Sequence, residues 1–109
     1  MKKILCLLPL LLLLGCSKDE NHLNGTKWIS TNSAECWWEN HTLDGHYSER
    51  LSFSSKTMRS QTLKDGSVYR NNWTRDYTIE DNVITDEAGT NYYLYDDVMY
   101  QGTYVFYKE

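Results

Sequence analysis

"CWWENHTLDGHYSERLSF", residues 36–53, centres on an Asp-Gly pair with apolar and polar residues alternating on either side. Asp-Gly favours a two-residue type I′ turn, whose twist matches that of the strands it joins. With Asp44-Gly45 as the turn, Cys36 faces Phe53, Trp38 faces Leu51 and Asn40 faces Glu49. Side chains alternate along a strand, so these pairs share one inward face. The other face takes Trp37, His41, Ser48 and Ser52, with Glu39 opposite Arg50 as a cross-strand ion pair. A slip of one residue would send the apolar set to solvent, so the pattern specifies a hairpin in one register.

The same reasoning extends toward the C-terminus. A tight turn at Ser55-Lys56 sets Phe53 against Met58 and Leu51 against Ser60. A turn at Asp65-Gly66 sets Thr62 against Tyr69, Ser60 against Asn71 and Met58 against Trp73. Tyr77 and Ile79 continue the inward set, whereas Arg75 interrupts it and predicts a bulge or bend. Turn residues recur at Asp81-Asn82, residues 87–90, Asp96-Asp97 and Gln101-Gly102. β-Branched and aromatic runs at such spacing predict an all-β domain, a small antiparallel up-and-down meander barrel of about eight or nine short strands. It covers residues 25–109, with the parity of residues 92–107 left open.

The inward face divides along its length. Near residues 54–56 it is apolar, with Cys36, Trp38, Leu51, Phe53, Met58 and Trp73. Near the two Asp-Gly turns it is polar, with Thr42, Ser60 and Thr62 beside Asn40, Tyr47, Glu49, Tyr69 and Asn71. Buried polar groups need partners, so this end is either a plugged barrel with a wet rim or a shallow cup around something polar. A barrel of about eight strands has room for side chains or for one small ligand. Asn40, Tyr47, Glu49, Tyr69 and Asn71 are the candidate ligand residues of the cup. Trp37 lies outside and is the candidate surface contact, stacking on a sugar or meeting a protein.

Catalytic and metal chemistry find little support. Cys36, His41 and His46 have loosely ligand-like spacing, but the register turns the cysteine inward and the histidines outward, so no metal site is expected. Glu35 and Glu39 lie on the face away from Glu49, which separates any acid–base pair. No Ser-His-Asp, phosphate-loop or EF-hand spacing occurs in the sequence. The expectation is a non-catalytic protein without a cofactor.

At the N-terminus, Lys2 and Lys3 precede an apolar run over residues 4–14, about half the length of a membrane-spanning helix. The run ends in Leu13-Leu14-Gly15-Cys16, which resembles the lipobox of bacterial lipoproteins. That resemblance implies a signal peptide over residues 1–15, lipid on Cys16 and a tether over residues 16–24. Loss of two lysines would deepen the net charge of −4. Such an acidic balance argues against nucleic acid and against electrostatic docking on anionic lipid. Cys6 leaves with the signal and Cys16 takes the lipid, so Cys36 remains a lone thiol and the core alone must hold the domain.

"LNGTKW" at residues 23–28, the Leu51/Phe53 pair and the closing "GTYVFYKE" resemble the small lipocalin-like lipoproteins of Gram-negative gut bacteria. In such bacteria an acidic stretch after the lipidated cysteine, here Ser17-Lys18-Asp19-Glu20, implies display on the outer face of the outer membrane. Ala88-Gly89-Thr90-Asn91-Tyr92 resembles the Ser-Gly-x-x-Tyr loop of membrane-bound inhibitors of C-type lysozyme, with Ala88 in place of the serine. Two expectations follow. One is an outer-membrane lipoprotein, cell-surface or periplasm-facing, that binds a glycan or a small polar molecule. The other is an inhibitor or interaction protein with a protein partner.

Overall fold

The computed structural model describes residues 22–109, so the lipobox, Cys16 and most of the tether lie outside the described residues. The described chain runs β1 (Lys27–Ser30), α1 (Ala34–Thr42), β2 (Tyr47–Phe53), β3 (Thr57–Lys64), β4 (Ser67–Glu80), β5 (Val83–Asp86), β6 (Asn91–Tyr95), β7 (Val98–Gln101) and β8 (Tyr104–Lys108). Each strand pairs antiparallel with the next, and β8 returns to β1 to close the barrel. This is the all-β up-and-down barrel that the alternation predicts, with eight strands.

β2 shows the cause most plainly. Tyr47, Glu49, Leu51 and Phe53 are buried and the residues between them are half-exposed. Its register with β3 is the expected one, Leu51 opposite Ser60 and Phe53 opposite Met58. The next turn is also as expected: Asp65 and Gly66 both take positive φ, as a type I′ turn requires, with Lys64 opposite Ser67.

Residues 36–42 depart from expectation. They form most of α1 and not a strand, so the pairings of Cys36, Trp38 and Asn40 with β2 do not exist. β1 occupies that side of β2 instead, with Trp28 opposite Leu51 and Ser30 opposite Glu49. Trp28 is the core indole, and Trp38 stands outside, 57% exposed. Nor is there a Glu39–Arg50 pair: Arg50 binds Glu109 and Glu39 binds Arg70. Local charge suits a helix start, with Glu35 in the first turn complementing the helix dipole.

β4 holds a second correction. Its register with β3 shifts between Ser60 and Gln61 and again between Thr62 and Leu63. Tyr69 and Asn72 are the extra residues, so Thr62 meets Arg70, Ser60 meets Trp73 and Met58 meets Arg75. Each bulge turns the following side chains over. Arg75 itself marks no bulge, because it faces inward beside Trp73 and finds a buried carboxylate in Asp86.

Trp28, Leu51, Met58, Ile84, Tyr92, Met99 and Phe106 form the centre of the core. Tyr92, Leu94, Met99 and Phe106 point inward, which settles the parity of β6 to β8. The barrel has two unlike ends. One end, called the tether end after the tether expected over residues 16–24, holds Gly25, residues 54–56, Asp81-Asn82 and Asp96-Asp97; the helix end holds α1, Asp65-Gly66, residues 87–90 and residues 102–103.

Candidate functional site

α1 crosses the helix end with an unusual orientation for a surface helix. Cys36 and Glu39 are its buried side chains, while Trp37 and Trp38 are 51% and 57% exposed. An ordinary amphipathic helix would bury the indoles. Polar contacts hold α1 instead. Arg70 Nη1 donates to Glu39 Oε2 at 2.5 Å, and Arg70 Nη2 donates to the Glu35 carbonyl at 3.0 Å. Trp73 Nε1 donates to Glu35 Oε2 at 3.1 Å. The Asn40 side chain clamps Tyr47, accepting from its backbone N–H at 2.8 Å and donating to its carbonyl at 2.7 Å.

Beneath the helix, the polar interior residues satisfy one another. Ser60 Oγ donates to Glu49 Oε2 at 2.5 Å, and Asn72 Nδ2 donates to Ser60 Oγ and to Thr62 Oγ1. Burial pushes the Glu49 carboxyl above its ordinary value, against the pull of hydrogen bonds from Ser33 and Ser60. Burial likewise raises the Cys36 thiol. A second cluster surrounds Asp86, which accepts from Arg75, from the Ala88 and Thr90 N–H groups and from the Tyr92 hydroxyl. Burial, then the charge of Asp86, raises the Tyr92 hydroxyl.

The candidate cup is therefore divided. Tyr47 and Glu49 are buried inside as expected. Asn40 sits on α1 and is spent on the Tyr47 backbone. Tyr69 is exposed and meets Tyr47 only edge-on, with ring centroids 5.2 Å apart. Asn71 points outward and bonds Gln61 at 2.8 Å, its inward place taken by Asn72 because of the bulge. No common surface joins these five residues. Trp37 is exposed as expected, but on α1 and not on a strand, and its ring stacks on His41 at 4.1 Å. Among the described residues, no three His, Cys, Asp or Glu side chains group to hold a metal ion.

A further surface, in a tyrosine-rich stretch whose sequence suggests only strand packing and an interfacial girdle, lies on the outside of β6, β7 and β8. Register places Tyr93 beside Tyr100 and Tyr100 beside Val105; one step along, Tyr95 adjoins Val98 and Val98 adjoins Tyr107. All face away from the core, and the four tyrosines are exposed. Tyr95 and Tyr100 pack edge to face with centroids 5.8 Å apart. None of the six is charged, and Asp96 and Asp97 stand at the rim. The signal for this face was the alternation of tyrosines in "YYLYDDVMY", which could be read only once parity was known.

Comparison with protein-family models, with curated proteins and with solved structures returns no match.

Proposed function

We propose that this protein is a lipid-tethered, non-catalytic binding module of a bacterial outer membrane that takes a neutral glycan on the outer face of β6, β7 and β8. The uncharged four-tyrosine sheet face carries this reading. Contiguous exposed aromatic surface marks an interaction site. Tyrosine offers an apolar ring for the faces of a sugar and a hydroxyl for its edge. Asp96, Asp97 and the net charge of −4 disfavour acidic chains. Among the described residues, the interior side chains Glu49, Ser60, Thr62 and Asn72 are engaged with one another.

An array of neutral and acidic glycans, probed with the mature chain, tests the reading. Binding to neutral glycans should fall about tenfold in Tyr95→Ala or Tyr107→Ala, as for central aromatic contacts elsewhere, and stay unchanged in Trp37→Ala. Binding to none of the glycans would sink it. The mass of the N-terminal peptide from membranes tests the lipid on Cys16 separately.

A second reading rests on Trp37 and Trp38. They are adjacent exposed indoles on α1 at the helix end, and tryptophan is enriched in protein interfaces. A lysozyme-inhibition assay with Trp37→Ala and Trp38→Ala tests this alternative.

A further inference from the structure

Three of the four arginines end on a carboxylate: Arg50 on Glu109, Arg70 on Glu39 and Arg75 on Asp86. Arg59 does not. Among the described residues it joins no ion pair, although the chain as a whole is acidic. Its position is set by the sheet. On the outer face near the tether end, Arg59 of β3 lies opposite Ser52 of β2 on one side and Thr74 of β4 on the other. Lys27 of β1 lies opposite Ser52 in turn. A row of two cations and two hydroxyls thus crosses four adjacent strands, spaced about 4.8 Å apart.

The surface is hollowed at this row. Arg59, Ser52 and Thr74, together with Phe53, Ser54 and Thr57, line a depression of about 340 Å³. That volume lies within the range of small-ligand sites, about 300–1,000 Å³. Ser52 Oγ is, among the described residues, the buried side-chain polar atom that lacks a hydrogen-bond partner. Burying a hydroxyl unpaired is unfavourable, and such atoms are normally satisfied. The orphaned hydroxyl and the unpaired guanidinium are cross-strand neighbours at the wall of one depression. Two unmet requirements in one place call for one acceptor-rich anion.

We propose that this depression is an oxyanion site for a phosphate group. The Arg59 guanidinium provides a planar fork that matches two phosphate oxygens, which a lysine would not. Ser52 donates its otherwise idle hydroxyl, and Thr74 and Lys27 flank the group. Two carboxylates work against the anion: Asp76, opposite Thr57 on the register, and Glu109, which interacts with Lys27 and is shared with Arg50. The site lies where the chain reaches the barrel: Gly25 N–H donates to the Phe53 carbonyl, and Phe53 N–H to the Thr26 carbonyl. A lipid headgroup and a soluble phosphate ester present the same group there. The site is separate from the tyrosine face, so it stands or falls independently of glycan binding.

The test titrates the mature chain with inorganic phosphate, followed by amide chemical shifts at constant ionic strength. Shifts should centre on Ser52, Arg59 and Thr74. Arg59→Gln should weaken binding about tenfold or more, the loss of a charge-assisted fork. Ser52→Ala should weaken it about threefold, the loss of one neutral donor, without lowering the midpoint of unfolding, because that hydroxyl has no internal partner to lose. Asp76→Asn should strengthen binding. Dihexanoyl phosphatidate and a sugar phosphate, run in parallel, identify the source: tighter binding of the first assigns a headgroup, of the second a soluble ester. Equal binding of chloride, unchanged affinity in Arg59→Gln, or a lower unfolding midpoint in Ser52→Ala would each overturn the site.

Discussion

Arg70 of β4 reaches across the helix end of the barrel to Glu39 of α1, with Nη1 2.5 Å from Oε2. The carboxylate is buried, at 6% side-chain exposure, while the arginine is partly open to water at 42%. The same guanidinium holds the Glu35 carbonyl and Thr62 Oγ1. A helix that turns its indoles outward is thus tied to the barrel by one cation, alongside the Trp73–Glu35 and Asn40–Tyr47 hydrogen bonds.

Removing that cation strands a buried charge. Arg70→Met should destabilise the domain by about 1–3 kcal/mol, less than for a fully buried pair because Arg70 is partly solvated. Glu39→Gln in the same chain should restore part of the loss. Urea unfolding of the two single variants and the double variant measures the coupling. A coupling of zero would mean that α1 is held some other way.

Glu49 predicts a pH dependence. Burial raises its folded pKa above the unfolded value of 4.5, so ionisation is harder in the folded state. Its effect is absent below the unfolded value. Stability then falls as pH rises from 4.5 toward the raised pKa, and levels off above it. Glu109 has the opposite sign: Arg50 holds its pKa low, so its contribution is lost as pH falls through that lowered value. Solvent exposure keeps the Glu109 contribution small. Glu49→Gln should therefore gain on the wild type as pH rises above 4.5, until the raised pKa is passed, by about 1.4 kcal/mol for every tenfold by which burial weakens the acid. Parallel stability curves would contradict this.

Asp86 serves as a hub, with its carboxylate fully buried beneath Arg75. Asp86→Ala orphans Arg75 and the Ala88 and Thr90 N–H groups, and should cost about 3–5 kcal/mol. Asp86→Asn keeps an acceptor for those N–H groups and should cost less. Denaturant midpoints rank the two; equal costs would mean that the loop contacts contribute nothing.

Cys36 is fully buried, and burial raises its pKa. Since the thiolate is the reactive form, thiol reagents should label the folded domain slowly and the urea-unfolded chain fast. Cys36 is the free cysteine of the described domain, so reductant should leave the melting temperature unchanged. Fast labelling in the native state would place α1 in an open conformation.

The barrel was legible because β2 and the first half of β3 obey a strict two-residue alternation, and because Asp65-Gly66 and Asp81-Asn82 suit positive φ. Two devices were not legible. Bulges at Tyr69 and Asn72 leave no trace in composition, yet they decide that Asn71 faces water and Asn72 faces the interior. α1 carries no apolar stripe, so its Trp37-Trp38 pair fits a strand as well as a helix. Ser33 stands at the N-cap position without a side-chain cap hydrogen bond and Glu35 in the first turn, local features too weak to set against an Asp-Gly hairpin pattern.

Local order came from the chain alone: the pleat of the strands, the places where they turn and the inward positions of Tyr47, Glu49, Leu51 and Phe53. Those follow from side-chain period and backbone sterics, which act over a few residues. Closure of the sheet settled which strand lies beside β2: alternation alone put Trp38 opposite Leu51, and β1 brings Trp28 there instead. The candidate sites arose in the same way. The tyrosine face depends on the parity of three strands at once, and the phosphate site on a register spanning β1 to β4. Neither is a property of any one segment, since each needs neighbours that lie far apart along the chain.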